Sequence, residues 1–315
     1  MKPRRSPNRC APVMTETVAK TERLQALEDE AIFVLREVAA AFSNPLLLYS
    51  VGKDSSVMLH LARKAFFPAP PPFPLLHIAS GWDFQAVLSH RDAVVAAHDL
   101  KLIVRGAPAA EAANPFDASP AAYARTMLTA PLRAALDEFG IDAAIGGGRR
   151  DEEMSRAKER IFSRRAEGHV WEPRRQRPEF WANYNTRLAP GETMRVFPLS
   201  NWTELDVWRY IDAEKIEIPP LYLAAERPVV TRDGALIMID DDRAKNWLSQ
   251  TPQLRRVRFR TLGCWPLTGA VPSDAATVSA VIDEIAASLR SERMGRLVDA
   301  AGGGSMENKK REGYF

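Results

Sequence analysis

One short segment of the sequence concentrates side chains that suit phosphate chemistry. It runs from Ser50 to Ser56 and reads Ser-Val-Gly-Lys-Asp-Ser-Ser. An apolar run precedes it and apolar residues at helical spacing follow it, which predicts a strand, a tight loop and a helix start. Backbone N–H groups at such a junction point at one spot, and the helix dipole favours an anion there. Lys53 adds a positive charge, Gly52 permits close backbone approach, and Ser55 is one of three hydroxyl donors.

This loop is not a Walker A motif. That motif has a glycine five residues before its Gly-Lys pair and a serine or threonine after the lysine. The present chain has Leu47 and Asp54 at those two positions. A carboxylate after the lysine suits a metal-bridged phosphate better than a tightly cradled γ-phosphate. The pattern Ser-x-Gly-x-Asp-Ser resembles the pyrophosphate loop of ATP pyrophosphatases, and a plain strand–turn–helix junction is the alternative interpretation.

A second segment, Gly146 to Arg160, combines glycines with charged residues. Arg149 and Arg150 follow the glycines directly, just before a predicted helix start. Guanidinium groups bind tetrahedral oxyanions through paired hydrogen bonds, so these two arginines are candidate oxyanion ligands. The charges that follow, such as the Glu152–Arg156 pair, are explained equally well as i,i+4 contacts on a solvated helix.

The elements that must position these segments alternate along the chain. Apolar runs predict five strands, with helices between them, near residues 46–48, 75–79, 100–104, 141–145 and 194–197. This order predicts an α/β fold with a doubly wound, five-stranded, mostly parallel sheet and a mixed C-terminal extension. Ligands of such sheets bind beyond the carboxyl ends of the strands, where the strand order reverses. Three loops follow such ends, 50–56, 80–83 with Gly81 and 146–150 with Gly147, and their convergence predicts a nucleotide site.

Local patterns predict several further elements. They are an amphipathic helix over Thr21–Phe42, a loop over Gly106–Pro120, a helix capped by Thr203 with Asp206 completing a capping box, a hairpin over Val229–Ile239, and an amphipathic helix over Ala276–Leu289.

Two groups of arginines leave alternatives open. Arg256, Arg258 and Arg260 alternate as on a strand with one basic face, which lines an anion site or faces solvent. The segment Trp171–Arg187 is rich in arginine, proline and aromatic residues. A basic patch of this kind can bind RNA, but no recognisable RNA-binding module accompanies it. A loop that contacts the active site or a partner is the favoured interpretation.

Composition limits the classes of protein to consider. The chain has 315 residues, 46% of them hydrophobic, and a formal net charge of +3, which is too small to indicate a nucleic-acid partner. No apolar run approaches the roughly 20 residues of a membrane-spanning helix, so no membrane role is predicted. The basic N-terminus lacks the apolar stretch of a secretory signal.

The two cysteines, Cys10 and Cys264, lie far apart and have no metal-site spacing, which predicts a reducing, cytoplasmic location. We divide the chain into residues 1–44 (N-terminal arm and amphipathic helix), residues 45–200 (nucleotide-binding domain) and residues 201–315 (C-terminal region and tail).

Taken together, these segments resemble the small subunit of the bacterial heteromeric sulfate adenylyltransferase. The related nodulation sulfate-activating subunit looks almost the same. The resemblance implies a fold of the adenine nucleotide alpha hydrolase type and extends over nearly the whole chain. The matching stretches are Ser50–Phe66, Phe73–His77, Gly146–Phe162, Arg195–Asp206, Pro219–Pro228, Val257–Val271 and Ser305–Phe315.

The resemblance implies that ATP and sulfate react to give adenylyl sulfate and pyrophosphate, with Mg²⁺ accompanying ATP. It further implies a separate GTPase subunit that binds GTP and drives this uphill reaction, because the chain has no second nucleotide motif. Asp54 is expected to help position Mg²⁺, and Arg149 and Arg150 are the candidates for sulfate or the α-phosphate. The residues expected to hold the leaving pyrophosphate are Ser50, Gly52, Lys53, Ser55 and Ser56.

The chain departs from the family pattern at one position. Where the family has an aspartate after the second strand, this sequence has Ala79, so a carboxylate near the bound nucleotide is expected to be absent. A non-catalytic or regulatory nucleotide-binding subunit is therefore the alternative function. A phosphoadenylyl-sulfate reductase would need a cysteine in a mobile C-terminal segment, whereas Trp-Pro follows Cys264 here. A tRNA thiolase would need paired cysteines and an RNA module.

Overall fold

A mixed β-sheet forms the centre of the molecule. The computed structural model describes residues 12–152, 154–243 and 250–287. Within these residues the sheet has seven strands in the order β3-β2-β1-β4-β7-β5-β6. The strands are β1 (Pro45–Leu48), β2 (Leu75–Ala79), β3 (Leu102–Gly106), β4 (Ala143–Ile145), β5 (Phe162–Ala166), β6 (Val170–Trp171) and β7 (Thr193–Val196).

The five predicted strands are confirmed as β1, β2, β3, β4 and β7, and they run parallel to one another. The predicted width of the sheet was too small, because β5 and β6 extend it in the antiparallel sense. The sequence did not predict β5 because this strand lacks an apolar run. It carries Ser163, Arg164 and Arg165, and two of these polar side chains are buried. Arg165 forms an ion pair with buried Glu159, which lets a charged segment lie inside the protein.

Helices cover both faces of the sheet, as expected for a doubly wound fold. Leu46 and Leu76 face one side and contact residues of α5, whereas Leu47 and Leu75 face the other and belong to the cluster that includes α1 and α2. The helices are α1 (Pro12–Ala41), α2 (Lys53–Phe66), α3 (Gln85–Ala97), α4 (Pro120–Ala124), α5 (Ala130–Glu138), α6 (Met154–Ala157), α7 (Glu204–Glu214) and α8 (Val278–Ala287).

The strand order reverses between β1 and β4. From β1 the chain continues outward to β2 and β3 on one side, and it then returns to place β4 on the other side. Leu46 pairs in register with Ala144, so the loops that follow these two strands leave the same edge side by side. A crevice at this edge is where a ligand of such a sheet is expected.

The C-terminal extension is a small antiparallel barrel followed by α8. Its strands β8 (Ala225–Arg232), β9 (Ala235–Met238), β10 (Gln253–Arg258) and β11 (Gly269–Pro272) close in the order β10-β11-β9-β8. The predicted hairpin is confirmed, with Asp233 and Gly234 at its turn, both at positive φ. The sequence suggested that Arg258 either lines an anion site or faces solvent. It does neither, because it is buried in the extension and ion-paired with Glu284.

The capping box of α7 is confirmed, and it also joins two parts of the chain. Thr203 accepts from the N–H of Asp206, and Arg23 of α1 donates to both carboxylate oxygens of Asp206 at 2.9 and 2.7 Å. The division of the chain into three parts, with boundaries after residues 44 and 200, stays a prediction.

The predicted helix over Ala276–Leu289 corresponds to α8, although its last two residues lie outside the described residues. The N-terminal arm and the tail from Ser305 also lie outside the described residues. Among the residues that are described, no helix has the length and hydrophobicity to cross a bilayer.

Candidate active site

A cleft of about 310 Å³ opens at the edge where the strand order reverses. The loop after β1 forms one wall, the loop after β4 forms a second, and a loop of the C-terminal extension forms a third. Residues of the three loops that line it include Ser50, Gly52, Lys53, Asp54, Ser55, Gly146, Gly147, Gly148, Thr261, Leu262, Gly263 and Cys264. The predicted convergence of loops 50–56, 80–83 and 146–150 is present, because Ser80 and Asp83 also line the cleft. The wall formed by residues 261–264 was not predicted.

The loop after β1 turns at Val51 rather than at Gly52. Val51 has a φ of 63°, a left-handed conformation that is costly for a β-branched residue. Gly52 has an ordinary φ of −71° and caps α2, its carbonyl accepting a 3.0 Å hydrogen bond from the Ser55 hydroxyl. The Ser50 hydroxyl lies 3.3 Å from that of Ser55. The left-handed conformation of Val51 turns the chain sharply, so that α2 begins at Lys53 with its N-terminus at the cleft.

The first amide of this helix already has a hydrogen-bond partner. The Lys53 N–H donates a 2.8 Å hydrogen bond to the hydroxyl of Tyr222, which lies in the C-terminal region and also lines the cleft. One of the backbone groups that the sequence assigned to a phosphate is thus satisfied by the protein. This contact fixes the start of α2 against the C-terminal region.

Asp54 accepts hydrogen bonds from two cationic side chains. The Lys53 ammonium donates to Oδ2 at 3.1 Å, and the Arg149 guanidinium donates to Oδ1 at 2.8 Å. Burial alone would raise the pKa of Asp54, but the charges of Lys53 and Arg149 outweigh that effect and lower the pKa to about 2. Asp54 is therefore a carboxylate at any physiological pH, and it joins the loops that follow β1 and β4.

Gly147 is the point of closest approach between these two loops. A Cβ atom at this position would stand 3.0 Å from the Cβ of Asp54, closer than side chains normally allow. At Gly52, in contrast, a Cβ atom would meet its nearest neighbours at 3.4 and 3.5 Å. The requirement for glycine is consequently steric at Gly147, and it is not conformational at Gly52.

Four of the predicted site residues lie away from the cleft wall. Arg149 has no exposed side-chain surface and lies behind Asp54. Arg150 contacts Asn201 and lies 3.9 Å from Glu179.

The other two are a serine and a glycine. Ser56 lines a different groove, together with Leu59 and His60 of α2. Gly81 has a φ of 77°, and its carbonyl accepts a hydrogen bond from Arg243. The structure therefore does not bring these four residues together with the others at the cleft wall.

The cleft also contains residues that the sequence did not single out. Arg156 lines it, although its spacing from Glu152 also fitted a contact on a solvated helix. Tyr222 and the loop 261–264 carry no local signal of function. The one signal for them was that they fall within stretches matching the family.

A carboxylate is present in the cleft despite the alanine at position 79. Asp83, four residues further along, lines the cleft, and its Oδ2 accepts a 2.9 Å hydrogen bond from the Ser80 N–H. The turn that follows β2 therefore supplies a carboxylate to the cleft, although not at position 79.

Asp54 does not fit the predicted role of magnesium ligand. Both of its oxygens accept hydrogen bonds from cations, which compete with a metal ion for the same lone pairs. Within residues 12–152, 154–243 and 250–287, no three His, Cys, Asp or Glu side chains cluster as a metal site would require. The arrangement suits Asp54 to holding two cations in position.

Comparison with known proteins gives the family. The phosphoadenosine phosphosulfate reductase domain matches residues 44–270. The chain is 59% identical over 294 residues to sulfate adenylyltransferase subunit 2 of Azospirillum brasilense, covering 93% of this chain and 98% of that protein. It is 57% identical over 294 residues to the same subunit of Zymomonas mobilis subsp. mobilis, covering 93% and 97%.

Among solved structures, phosphoadenylyl-sulfate reductase from Candida auris is similar with a TM-score of 0.46 and 17% identity. That match covers 64% of this chain and 89% of the reductase. The chain belongs to the phosphoadenosine phosphosulfate reductase domain family and, within it, to the sulfate adenylyltransferase subunit 2 proteins.

Proposed function

We propose that this protein transfers the adenylyl group of ATP to sulfate, forming adenylyl sulfate and pyrophosphate. The observation that carries the proposal is the arrangement of Lys53, Asp54 and Gly147 in the cleft where the strand order reverses. The N-terminus of α2 and the Lys53 ammonium together favour a polyanion at this point. The names of the relatives give the reaction class.

In the proposed reaction, a sulfate oxygen attacks the α-phosphorus of ATP in line with the departing pyrophosphate. A new oxygen–phosphorus bond forms, and the bond from the α-phosphorus to the bridging oxygen breaks, with its electron pair leaving on pyrophosphate. Sulfate is fully ionised at neutral pH, so no general base is required. The protein contributes by positioning the reactants and by neutralising the charge on the departing phosphates.

We assign the binding of the departing phosphates to the loop after β1. Lys53 neutralises their charge, while Ser50, Gly52 and Ser55 offer hydroxyl and backbone groups at the same wall. Asp54 keeps the Lys53 ammonium at the cleft through the 3.1 Å contact, and Arg149 holds Asp54 from behind. Mg²⁺ would accompany ATP in this proposal, coordinated by oxygens of the phosphates, as is usual with nucleotides.

We further propose a GTPase partner subunit that drives the reaction. Adenylyl sulfate is a mixed anhydride whose formation is uphill. The relatives are named as a second subunit, which supports the existence of a first one. A cytoplasmic location remains a prediction from the cysteine content. The alternative, a non-catalytic nucleotide-binding subunit, is disfavoured by the ordered Lys53–Asp54–Arg149 contacts and by the carboxylate of Asp83.

The decisive experiment is an assay of the protein purified together with the candidate GTPase subunit. Pyrophosphate release from ATP is measured with and without sulfate, and with and without GTP. We expect release that depends on sulfate and increases with GTP. Nucleotide binding without sulfate-dependent release in either condition would instead favour the non-catalytic subunit.

A further inference from the structure

Arg156 is a buried arginine in the wall of the cleft. It lies in the short helix α6, its side chain is only 9% exposed, and it lines the same cleft as Lys53 and Asp54. Within the described part of the chain, its buried Nη1 atom has no hydrogen-bond partner. A buried guanidinium N–H without an acceptor costs free energy, so the arrangement favours an anionic ligand that accepts from it.

Gly148 provides the space that this guanidinium occupies. A Cβ atom at position 148 would overlap Nη1 of Arg156 and stand 3.1 Å from its Cζ. The neighbouring residue, Gly147, makes the corresponding close approach to Asp54. Two consecutive glycines therefore allow the loop after β1 (residues 50–56, which we call the phosphate loop) and the Arg156 guanidinium to pack side by side at the cleft.

Glu152 orients the guanidinium without filling its outer edge. Its Oε2 atom lies 2.9 Å from Nε of Arg156, and its Oε1 atom accepts a hydrogen bond from the Arg149 N–H at 3.1 Å. The side of Arg156 that carries Nε is thus tied to the loop after β4. The Nη1 atom lies next to Gly148, another residue of the cleft wall, and keeps a donor for a further acceptor.

The cations around Arg156 are paired with carboxylates. Arg165 pairs with Glu159, and Lys53 and Arg149 share Asp54. Recognition of a dianion here therefore depends on directed hydrogen bonds from Arg156 and not on a surplus of positive charge.

We propose that Arg156, rather than Arg149 or Arg150, binds the tetrahedral dianionic substrate that attacks ATP. The assignment rests on the proposed function, under which that dianion is sulfate. Arg156 holds it beside the phosphate loop, so that one of its oxygens approaches the α-phosphorus. Arg149 acts as a positioning residue for Asp54, and Arg150 lies outside the cleft.

The test compares Arg156→Gln with a control that removes an equal charge elsewhere. The control is Arg125→Gln, because Arg125 is exposed and does not line the cleft. In the complex with the partner subunit, Arg156→Gln is expected to raise KM for sulfate about 10- to 100-fold, as loss of a charge-assisted hydrogen bond predicts. KM for ATP should stay within about threefold, as should both constants in the control.

Gly148→Ala provides a second variant, since the added methyl group displaces the guanidinium while leaving its charge in place. We expect it to raise KM for sulfate in the same direction and to spare ATP affinity. An unchanged KM for sulfate in Arg156→Gln, or equal losses for ATP and sulfate, would overturn the assignment.

A binding measurement separates this inference from the proposed function. Sodium sulfate, against sodium chloride of equal ionic strength, should raise the thermal midpoint of the wild-type protein further than that of Arg156→Gln or Arg156→Lys, because the general stabilising effect of sulfate is common to all three. If the wild-type complex shows no sulfate-dependent pyrophosphate release, the proposed function fails, but this measurement still decides whether Arg156 binds the dianion. Equal sulfate-induced shifts in wild type and variants would refute the role of Arg156 whatever the activity.

Discussion

The Nε atom of Arg149 donates a 2.8 Å hydrogen bond to Oδ1 of Asp54, across 95 residues of sequence. The two residues follow different strands of the sheet, and the arginine side chain is fully buried. Because the Lys53 ammonium donates to the other oxygen of Asp54, one carboxylate connects the loops on either side of the point where the strand order reverses. Through this contact Arg149 supports the loop after β1, and in our proposal it does not bind the substrate.

Replacing Asp54 by Asn should destabilise the fold. The substitution keeps the shape of the side chain but leaves Lys53 and Arg149 without their shared counter-charge, and breaking a buried pair is costly. Because the Asp54 side chain is 22% exposed, we expect a moderate loss of about 2 kcal/mol in the free energy of unfolding. Urea denaturation measures it. The control is Asp92→Asn. Asp92 forms a surface ion pair with Arg91, and its side chain is 63% exposed, so this substitution should change stability by less than about 0.5 kcal/mol. Equal losses would contradict the bridging role.

Replacing Lys53 by Ala should lower turnover far more than it lowers stability. Its ammonium is the cation that neutralises the departing phosphates in the proposed reaction, and removal of one such donor typically costs about 100-fold or more in kcat. Sulfate-dependent pyrophosphate release measures the effect, and circular dichroism checks the fold. Lys101→Ala, at an exposed position before β3, is the matched control and should keep wild-type activity. Unchanged activity in Lys53→Ala would remove the loop from the mechanism.

Gly147→Ala and Gly52→Ala should differ in their effects on stability. At Gly147 the new methyl group would stand 3.0 Å from Asp54, which forces the two loops apart and should cost about 1–3 kcal/mol. At Gly52 the methyl group meets nothing closer than 3.4 Å and φ is ordinary, so the change should stay below about 1 kcal/mol. Urea midpoints of the two variants decide the matter. A larger loss at Gly52 would mean that the loops pack differently.

The free energy of unfolding should decrease as the pH is lowered below 6.5, and part of this decrease should depend on His77. Burial lowers the pKa of His77 below its ordinary value of 6.5, and its Nδ1 lies 2.9 Å from the Tyr49 carbonyl. In the window below 6.5 the unfolded chain binds a proton that the folded chain excludes, so stability present above that pH is lost as the pH falls through the folded pKa. His77→Asn keeps a donor for the carbonyl and should flatten this part of the profile. His98→Asn, at an exposed position, should flatten it less.

Cys264 should be unreactive in the folded protein even though it lines the cleft. Burial raises the pKa of its thiol to about 12, so almost no thiolate is present at neutral pH. Iodoacetamide at pH 8, followed by mass spectrometry of the peptide that contains residue 264, should show labelling only after unfolding in guanidinium chloride. Rapid labelling of the native protein would revive a reductase-like role for this cysteine.

The sequence by itself determined the parts that depend on neighbouring residues. The phosphate loop, the five parallel strands, the capping box at Thr203 and the hairpin turn at Asp233 follow from patterns within a few residues. These local preferences agree with the final fold, so they were predictable. The likeness of several stretches to one family then indicated the reaction class.

The tertiary structure decided which charged groups share a site. Whether Arg149 or Arg156 reaches the cleft depends on the contacts of Asp54 and Glu152 with them, and on the space left at Gly148. Strand β5 also escaped prediction, because the charges of Arg164 and Arg165 are balanced by Glu192 and Glu159, and β6 has only two residues. Ion pairs and close approaches between distant segments have no periodicity in sequence, and only the folded chain brings their atoms together.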